Sequence, residues 1–300
     1  MDWKNLVGQL NWATLDRRYD PRCHLACHGK TDGAGAQIQA YISTMLFARV
    51  FGFHYVHIPF ETMELSPDGD AVGWARLWER TMSLGEGEFS HADLPQMPMR
   101  AHRTCRFIRK RRGVLQVPRH CLHWLDRHVD LHSLIMPDLR ARYLKNVPAP
   151  FAPRTSGPLR IALHVKRNDP GNQTRLTSNE IVARMMRSVE TVLRSMDVAY
   201  RFEICSLGTE ADFEELKPFD PLFRLNEPAV DAFHALTGAD MMLTAKSSFS
   251  YVAALYNRGV KLYEPFWHPP MSDWVVMRDG ETDPAAMRRA IETHLAKRAG

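Results

Sequence analysis

Long apolar runs are missing from this 300-residue chain. Nothing approaches the roughly 18 unbroken apolar residues that a membrane-crossing helix needs, so none is expected. A secretion signal is missing too. The first twenty residues, MDWKNLVGQLNWATLDRRYD, have no basic start followed by an apolar core and read as mature sequence. Cysteine is scarce and odd in number: Cys23, Cys27, Cys105, Cys121 and Cys205. A scattered set of this kind argues against a disulfide framework and for a reducing, cytoplasmic compartment. Metal-ligand spacing is absent as well. Cys23-His24-x-x-Cys27-His28 falls in a strand pattern, where alternate residues face opposite sides, and no second pair follows at finger spacing. His120, Cys121, His123 and His128 fit no better, so no metal and no cofactor are expected. There is no repeat and no low-complexity segment.

One apparent motif also lacks its essential part. HGKTDGAGAQ, from His28, contains the Gly-Lys-Thr with which a nucleotide-triphosphate loop ends. Such a loop needs a glycine five residues before Gly29, and His24 stands there. The Gly-Lys-Thr therefore reads as coincidence. Gly33-Ala34-Gly35-Ala36-Gln37 is a better candidate, because it follows a strand and opens a long apolar helix. Small residues let a ligand or another loop approach the backbone there. A helix N-terminus suits an anion or a polar sugar. A tight strand-to-helix turn with no ligand explains the same residues equally well.

What is present is an ordinary globular composition, 45% hydrophobic and 24% charged. The net charge is +5, which favours anionic ligands without choosing among them. Four prolines and a Ser-Gly pair between Asn146 and Pro158 give a stiff, exposed connector. It divides the chain into an N-terminal domain, 1–150, and a C-terminal domain, 151–300. After the connector the pattern alternates. Strands are expected at Leu159 to Val165, Val198 to Cys205, Leu222 to Leu225, Met241 to Thr244 and, last, Val260 to Tyr263. Helices are expected from Ser178 to about Arg194, at Ala211 to Leu216, at Ala229 to Leu236 and at Ser247 to Tyr256. That alternation implies a parallel sheet covered on both faces, with ligands at the strand carboxyl ends. Before the connector, Cys23 to Cys27 and Tyr55 to Ile58 read as strands and Gln37 to Phe51 as a helix; residues 65–145 give no topology.

Two constellations in the second half carry chemistry. His164-Val165-Lys166-Arg167-Asn168-Asp169 ends the first strand there. Two cations leaving a buried strand should reach into the crevice above the sheet, where they can hold a diphosphate. A solvated loop with one ion pair is the plainer reading. Asp240 and Lys246-Ser247-Ser248-Phe249 flank a second strand end, where serine hydroxyls and free N–H groups bind phosphate readily. The commonest job of such a serine is simply to cap the helix.

These stretches, in order, resemble the fucosyltransferase superfamily, the α-1,2-, α-1,6- and protein O-fucosyltransferase group. Its first motif, Gly-x-Gly-Asn-Gln, is matched at Gly33, Gly35, Gln37 and Tyr41; its second, His-x-Arg-Arg-Gly-Asp, at HVKRND; its third at ADMMLTAKSSFSYVAALYN. The tail EPFWHPPMSDWVVM resembles the end of the α-1,2 members. The resemblance spans roughly residues 22–276. It implies an α/β, GT-B-like fold: two Rossmann-like halves with the active site in the cleft between them. It implies a metal-independent, inverting glycosyltransferase that moves fucose from GDP-fucose, or another GDP-sugar, to a glycan hydroxyl. The second half would hold the donor and the first the acceptor. Carried across, Lys166 and Arg167 face the diphosphate, Ser247 and Ser248 line its pocket with His164 and Phe249, and Asp240 sits near the guanine or the sugar rim. Asp32, beside the glycine loop, is the candidate base. Lys166 stands where the family has arginine, keeping the charge but losing the bidentate fork. Ala36 replaces the motif asparagine and Asn168 the motif glycine.

Two other classes stay open. One is a non-catalytic nucleotide- or glycan-binding protein. The other is a basic nucleic-acid binder using MRAHRTCRFIRKRRG, from Met99 to Gly113. No aromatic stacking platform accompanies that segment, so a solvated face is expected and no specific nucleic acid. In an enzyme it would hold an acidic glycan or make a peripheral contact with an anionic membrane.

Overall fold

The computed structural model describes residues 14–167 and 173–299. The chain divides between Asn146 and Val147 into two compact units, each built on its own parallel sheet.

The first unit runs β1 (Asp20–Leu25), α1 (Ala34–Phe51), β2 (Phe53–His57), α2 (Ala71–Met82), β3 (Phe89–Ser90), β4 (Met99–His102), β5 (Leu115–Pro118) and α3 (Met136–Leu144). Its strand order is β3-β2-β1-β5-β4, with every neighbouring pair parallel. Helix α1 is buried on almost every side, as its near-continuous apolar sequence requires. It ends at Gly52, whose φ of 67° closes the helix. A side chain at Gly52 would put its Cβ 2.4 Å from the Arg18 carbonyl oxygen. Residues 65–145 hide their topology because their strands are only two to four residues long and alternate with single 3₁₀ turns. Helix α2 is the regular part. Asp70 caps it by accepting from Gly73 N at 2.8 Å, and Trp74 and Trp78 share its buried face.

The second unit runs β6 (Leu159–Val165), α4 (Asn179–Ser195), β7 (Tyr200–Ser206), β8 (Leu222–Leu225), α5 (Ala229–Thr237), β9 (Met241–Leu243), α6 (Ser248–Tyr256), β10 (Val260–Tyr263), β11 (Val275–Val276) and α7 (Pro284–Ala299). Its order is β11-β10-β9-β6-β7-β8, again all parallel. This is the doubly wound dinucleotide-binding order, reversing direction between β6 and β9. Ser178 caps α4 by accepting from Ile181 N. Two expectations need correction. Val260 to Tyr263 is not the last strand, since β11 adds a sixth. The acidic helix at 211–216 is a longer 3₁₀ segment, Glu210–Phe219, which carries Pro218 and a kink at Phe213.

The proline-rich connector belongs to the second unit. Phe151 packs 5.7 Å from His234, with the Arg224 guanidinium 5.4 Å over its ring. Its carbonyl occupies the space a Gly238 Cβ would need, 1.8 Å away. Arg298 donates to the carbonyls of Arg154, Ser156 and Gly157 at 2.9, 2.7 and 3.0 Å. The segment is exposed, as expected, but tied down. Among the described residues no helix is long and apolar enough to cross a membrane.

Candidate functional site

The reversal point of the second sheet lies between β6 and β9, and the two expected constellations leave those strands at the same edge. Leu163 and Leu243 are register partners, so the chain exits at 164–167 and 244–248 emerge side by side. His164 joins them. Its Nδ1 is 2.7 Å from Ser250 Oγ, and its ring packs 5.2 Å from Phe249. Ser250 Oγ also accepts from Ala245 N at 3.2 Å. Burial, reinforced by Lys166, pushes the His164 pKa down to about 3, so the ring is neutral.

Around this seam the structure joins Lys246 to three residues that no motif assigned to the site, Thr177, Arg175 and Glu264. Lys246 Nζ is 3.2 Å from Glu264 Oε1 at the end of β10. Glu264 also accepts the Thr177 hydroxyl at 2.7 Å, and its backbone N–H donates to Thr244 Oγ1. Arg175 donates from Nε to the Lys246 carbonyl at 3.0 Å. Lys166, Lys246 and Arg175 thus stand at one strand edge with Glu264 among them, and α6 turns its positive N-terminal end to the same edge. Such an edge suits a diphosphate. Only long-range pairing could have revealed the placement of Arg175, Thr177 and Glu264; Glu264 opens the EPFWHPPMSDWVVM tail, but nothing in that stretch ties it to Lys246.

Ser247 is the N-cap of α6, accepting from Phe249 N at 3.2 Å, while Ser248 and Phe249 are half-buried in its first turn. Arg167 does not point freely into the crevice. It donates to the Thr177 carbonyl at 3.0 Å and to Asn179 Oδ1, and lies 5.0 Å over the Phe213 ring. Burial lowers its pKa, against the pull of Asp212 and Glu215, and it stays charged. The placement makes Arg167 a brace between the β6 exit and α4. Asn168 and Asp169 of the same motif lie outside the described residues.

Asp240 is a correction. It precedes β9 and therefore sits at the amino end of the sheet, opposite the strand exits. It accepts from Arg160 N at 2.9 Å and pairs with His294 at 3.0 Å and Arg298 at 3.4 Å. Burial would raise its pKa, but these donors win and lower it. It ties α7 to the sheet and cannot line a nucleotide rim at the other edge.

The glycine loop of the first unit is likewise braced from within. Gln37 is buried and gives its amide hydrogens to the Asp32 and Thr62 carbonyls at 2.7 and 2.8 Å, so it holds the loop instead of facing a ligand, a second correction. Gly33 is the N-cap of α1, and a Cβ there would sit 3.2 Å from Leu65. Gly35 is buried in the first turn. Lys30 lies in the loop before the helix and pairs with Asp32 at 2.8 Å, unlike a phosphate-binding lysine at a helix start. Arg119 and His120 leave β5 beside this loop, Arg119 donating to the Gly29 carbonyl at 2.9 Å. His120 Nδ1 accepts from Leu122 N at 3.3 Å, so its neutral ring carries the proton on Nε2. Burial, with Lys30, His123 and Arg119, pushes its pKa down to about 4.

The cysteine–histidine pairs disperse. Cys27 donates to the Arg119 carbonyl, His24 meets His54 edge to face and His28 faces Glu61. Among the described residues no group of three or more His, Cys, Asp or Glu is set to hold a metal ion.

No protein-family model matches the chain, and no curated protein matches it. Among solved structures it is similar to the E. coli heptosyltransferase WaaC with ADP-2-deoxy-2-fluoro heptose. That likeness has 14% identity, 90% of this chain and 99% of that one covered, and a TM-score of 0.42. POFUT1 in complex with GDP is 12% identical, with 82% and 99% covered and a TM-score of 0.43. The α,α-trehalose 6-phosphate synthase of Burkholderia multivorans is 11% identical, with 100% and 70% covered and a TM-score of 0.35.

Proposed function

We propose that the protein is a nucleotide-sugar-dependent glycosyltransferase of the GT-B kind whose second unit holds the donor. The observation that carries this reading is the reversal point between β6 and β9. There Lys166, Lys246, Arg175 and the N-terminus of α6 meet at one strand edge. Cations and helix N–H groups at such an edge bind a diphosphate and stabilise the charge that grows on it as it leaves. In the transfer, an acceptor hydroxyl oxygen bonds to the anomeric carbon as the bond from that carbon to the diphosphate oxygen breaks. The hydroxyl proton passes to a base. Asp32 in the first unit is the carboxylate proposed for that task, with Lys30 holding it in place.

The finer reading is fucose from a GDP donor, transferred with inversion and without a metal. It rests on the ordered matches at Gly33 to Gln37, His164 to Arg167 and Lys246 to Phe249. Thermal denaturation against ADP, GDP, UDP and ATP, each with magnesium or with EDTA, tests donor class and metal need together. GDP stabilisation that survives EDTA supports the reading. Stabilisation only by ATP with magnesium overturns it. The second reading, a binding protein without turnover, draws on Lys166 in place of an arginine; GDP binding with no release of GDP from any GDP-sugar would favour it.

A further inference from the structure

The segment after β10 presents one large aromatic side chain to water. Trp267 is 57% exposed, while its neighbours are fixed from below. The Tyr263 hydroxyl accepts from Phe266 N at 3.0 Å and donates to the His268 carbonyl. The Tyr251 hydroxyl donates to the Pro269 carbonyl at 2.9 Å. The His268 ring stacks 5.2 Å from Tyr251, and Trp274 packs on both tyrosines. The backbone on either side of Trp267 is therefore anchored to α6 and β10, and the indole, packed 4.0 Å from the Phe266 ring and donating from Nε1 to His268 Nε2 at 3.2 Å, still exposes more than half of its surface. An exposed Trp on a mobile loop would mean little. An exposed Trp on an anchored loop is a surface prepared in advance, and ordering it on binding costs little.

Its position gives it an occupant. Arg175, which donates to the Lys246 carbonyl, places its guanidinium 4.9 Å from the Trp267 ring and 5.3 Å from Phe266. The indole is thus one side chain away from the proposed diphosphate edge. Two directions lead from that edge along the strand exits. Toward β7 and β8 the exits offer Leu207, Gly208 and Asn226, with no exposed aromatic among the described residues. Toward β10 they offer Trp267. A nucleotide has one planar ring system, held a few ångströms from its phosphates, and a flat aromatic face binds it by stacking.

We propose that Trp267 is the stacking platform for the nucleobase of the donor, with Arg175 bridging base and diphosphate. This rests on the donor reading above. It also sets the direction in which the nucleotide lies, from the β6 and β9 exits toward β10.

Isothermal titration of the full chain with GDP and, separately, with inorganic pyrophosphate tests it. Trp267→Ala is expected to weaken GDP about tenfold, the usual scale for one lost base–aromatic contact. Pyrophosphate affinity is expected to stay unchanged, and Trp267→Phe to restore most of the GDP affinity. GDP should also quench the intrinsic fluorescence of the parent, and that part of the quench should vanish in Trp267→Phe. Unchanged GDP affinity in Trp267→Ala, in a parent that binds GDP, overturns the platform and leaves the donor reading standing. An equal loss of GDP and pyrophosphate assigns Trp267 a merely structural role and overturns it as well. A parent that binds neither overturns the donor reading and the platform together.

Discussion

His164 Nδ1 lies 2.7 Å from Ser250 Oγ, a hydrogen bond that crosses the point where the strand order of the second sheet reverses. It joins the end of β6 to the first turn of α6, and so fixes the spacing of the two strand exits that the proposed diphosphate site needs.

The bond predicts a pH dependence. His164 stays neutral in the folded protein down to about pH 3, whereas an unfolded histidine takes up a proton near pH 6.5. The unfolded state therefore binds more protons between those values, and stability falls as pH falls through that window. His164→Asn should be less stable than the parent at pH 7. The gap should narrow by roughly 1 kcal/mol for each pH unit below about 6. Urea unfolding of both proteins at pH 7, 6 and 5 measures it; a constant gap would show that burial of this imidazole is not what sets the acid limit.

Lys166 and Arg167 should separate in function. Arg167 is engaged by the Thr177 carbonyl, Asn179 and Phe213, so Arg167→Ala should lower the melting temperature and GDP affinity together. Lys166→Ala should leave the fold intact and cut turnover by about a hundredfold, the scale of one charge-stabilising donor, with a smaller loss of donor affinity. Lys166→Arg should keep activity or raise it. GDP release with a pool of glycan acceptors is the assay. Equal effects of the two alanine variants on stability and turnover would contradict this division.

Asp240 offers the converse test. Its carboxylate is buried among Arg160 N, His294 and Arg298 at the amino end of the sheet. Asp240→Ala takes this acceptor from Arg160 N and His294 and the counter-charge from Arg298, which keeps its three carbonyls, and should cost on the order of 3 kcal/mol in unfolding experiments. At a temperature where the variant is folded, its GDP affinity should match the parent's. A selective loss of GDP binding with stability preserved would return Asp240 to the nucleotide.

The Gly-Lys-Thr of the first unit makes a sharper negative prediction. Lys30 is paired with Asp32 in a loop, not set at a helix start. Lys30→Ala should therefore leave nucleotide affinity within about threefold, where a true phosphate-loop lysine would be essential. Loss of most binding would restore the triphosphate-loop reading.

The second unit was the more legible in sequence because β6 and β7 are seven residues long, β9 is fully apolar, and two of its helices begin at real caps, Ser178 and Ser247. The His164 and Lys246 stretches could be placed at strand exits for that reason. What the pattern could not carry was the direction of a side chain. Arg167 looks like a free cation in sequence and is a brace in space. Asp240 looks adjacent to Lys246 yet sits at the other end of a three-residue strand. Gln37 looks like a ligand residue and latches its own loop. Arg175 reaches the site from the turn before α4, and Glu264 and Trp267 from the segment after β10, a pairing across the chain that no local pattern encodes. In the first unit, β3 and β4 are too short for period-two alternation to register, and β11 escaped for the same reason.

The central claim is that the strand edge at Lys166, Lys246 and Arg175 holds a nucleoside diphosphate by its own charges. Isothermal titration of GDP into the full chain in the presence of EDTA tests it most directly, with Lys246→Ala as the comparison. The account predicts saturable binding by the parent and a loss of about tenfold or more in the variant, the scale of a charge-assisted phosphate contact. Absence of GDP binding by the parent, or undiminished binding by Lys246→Ala, would contradict it.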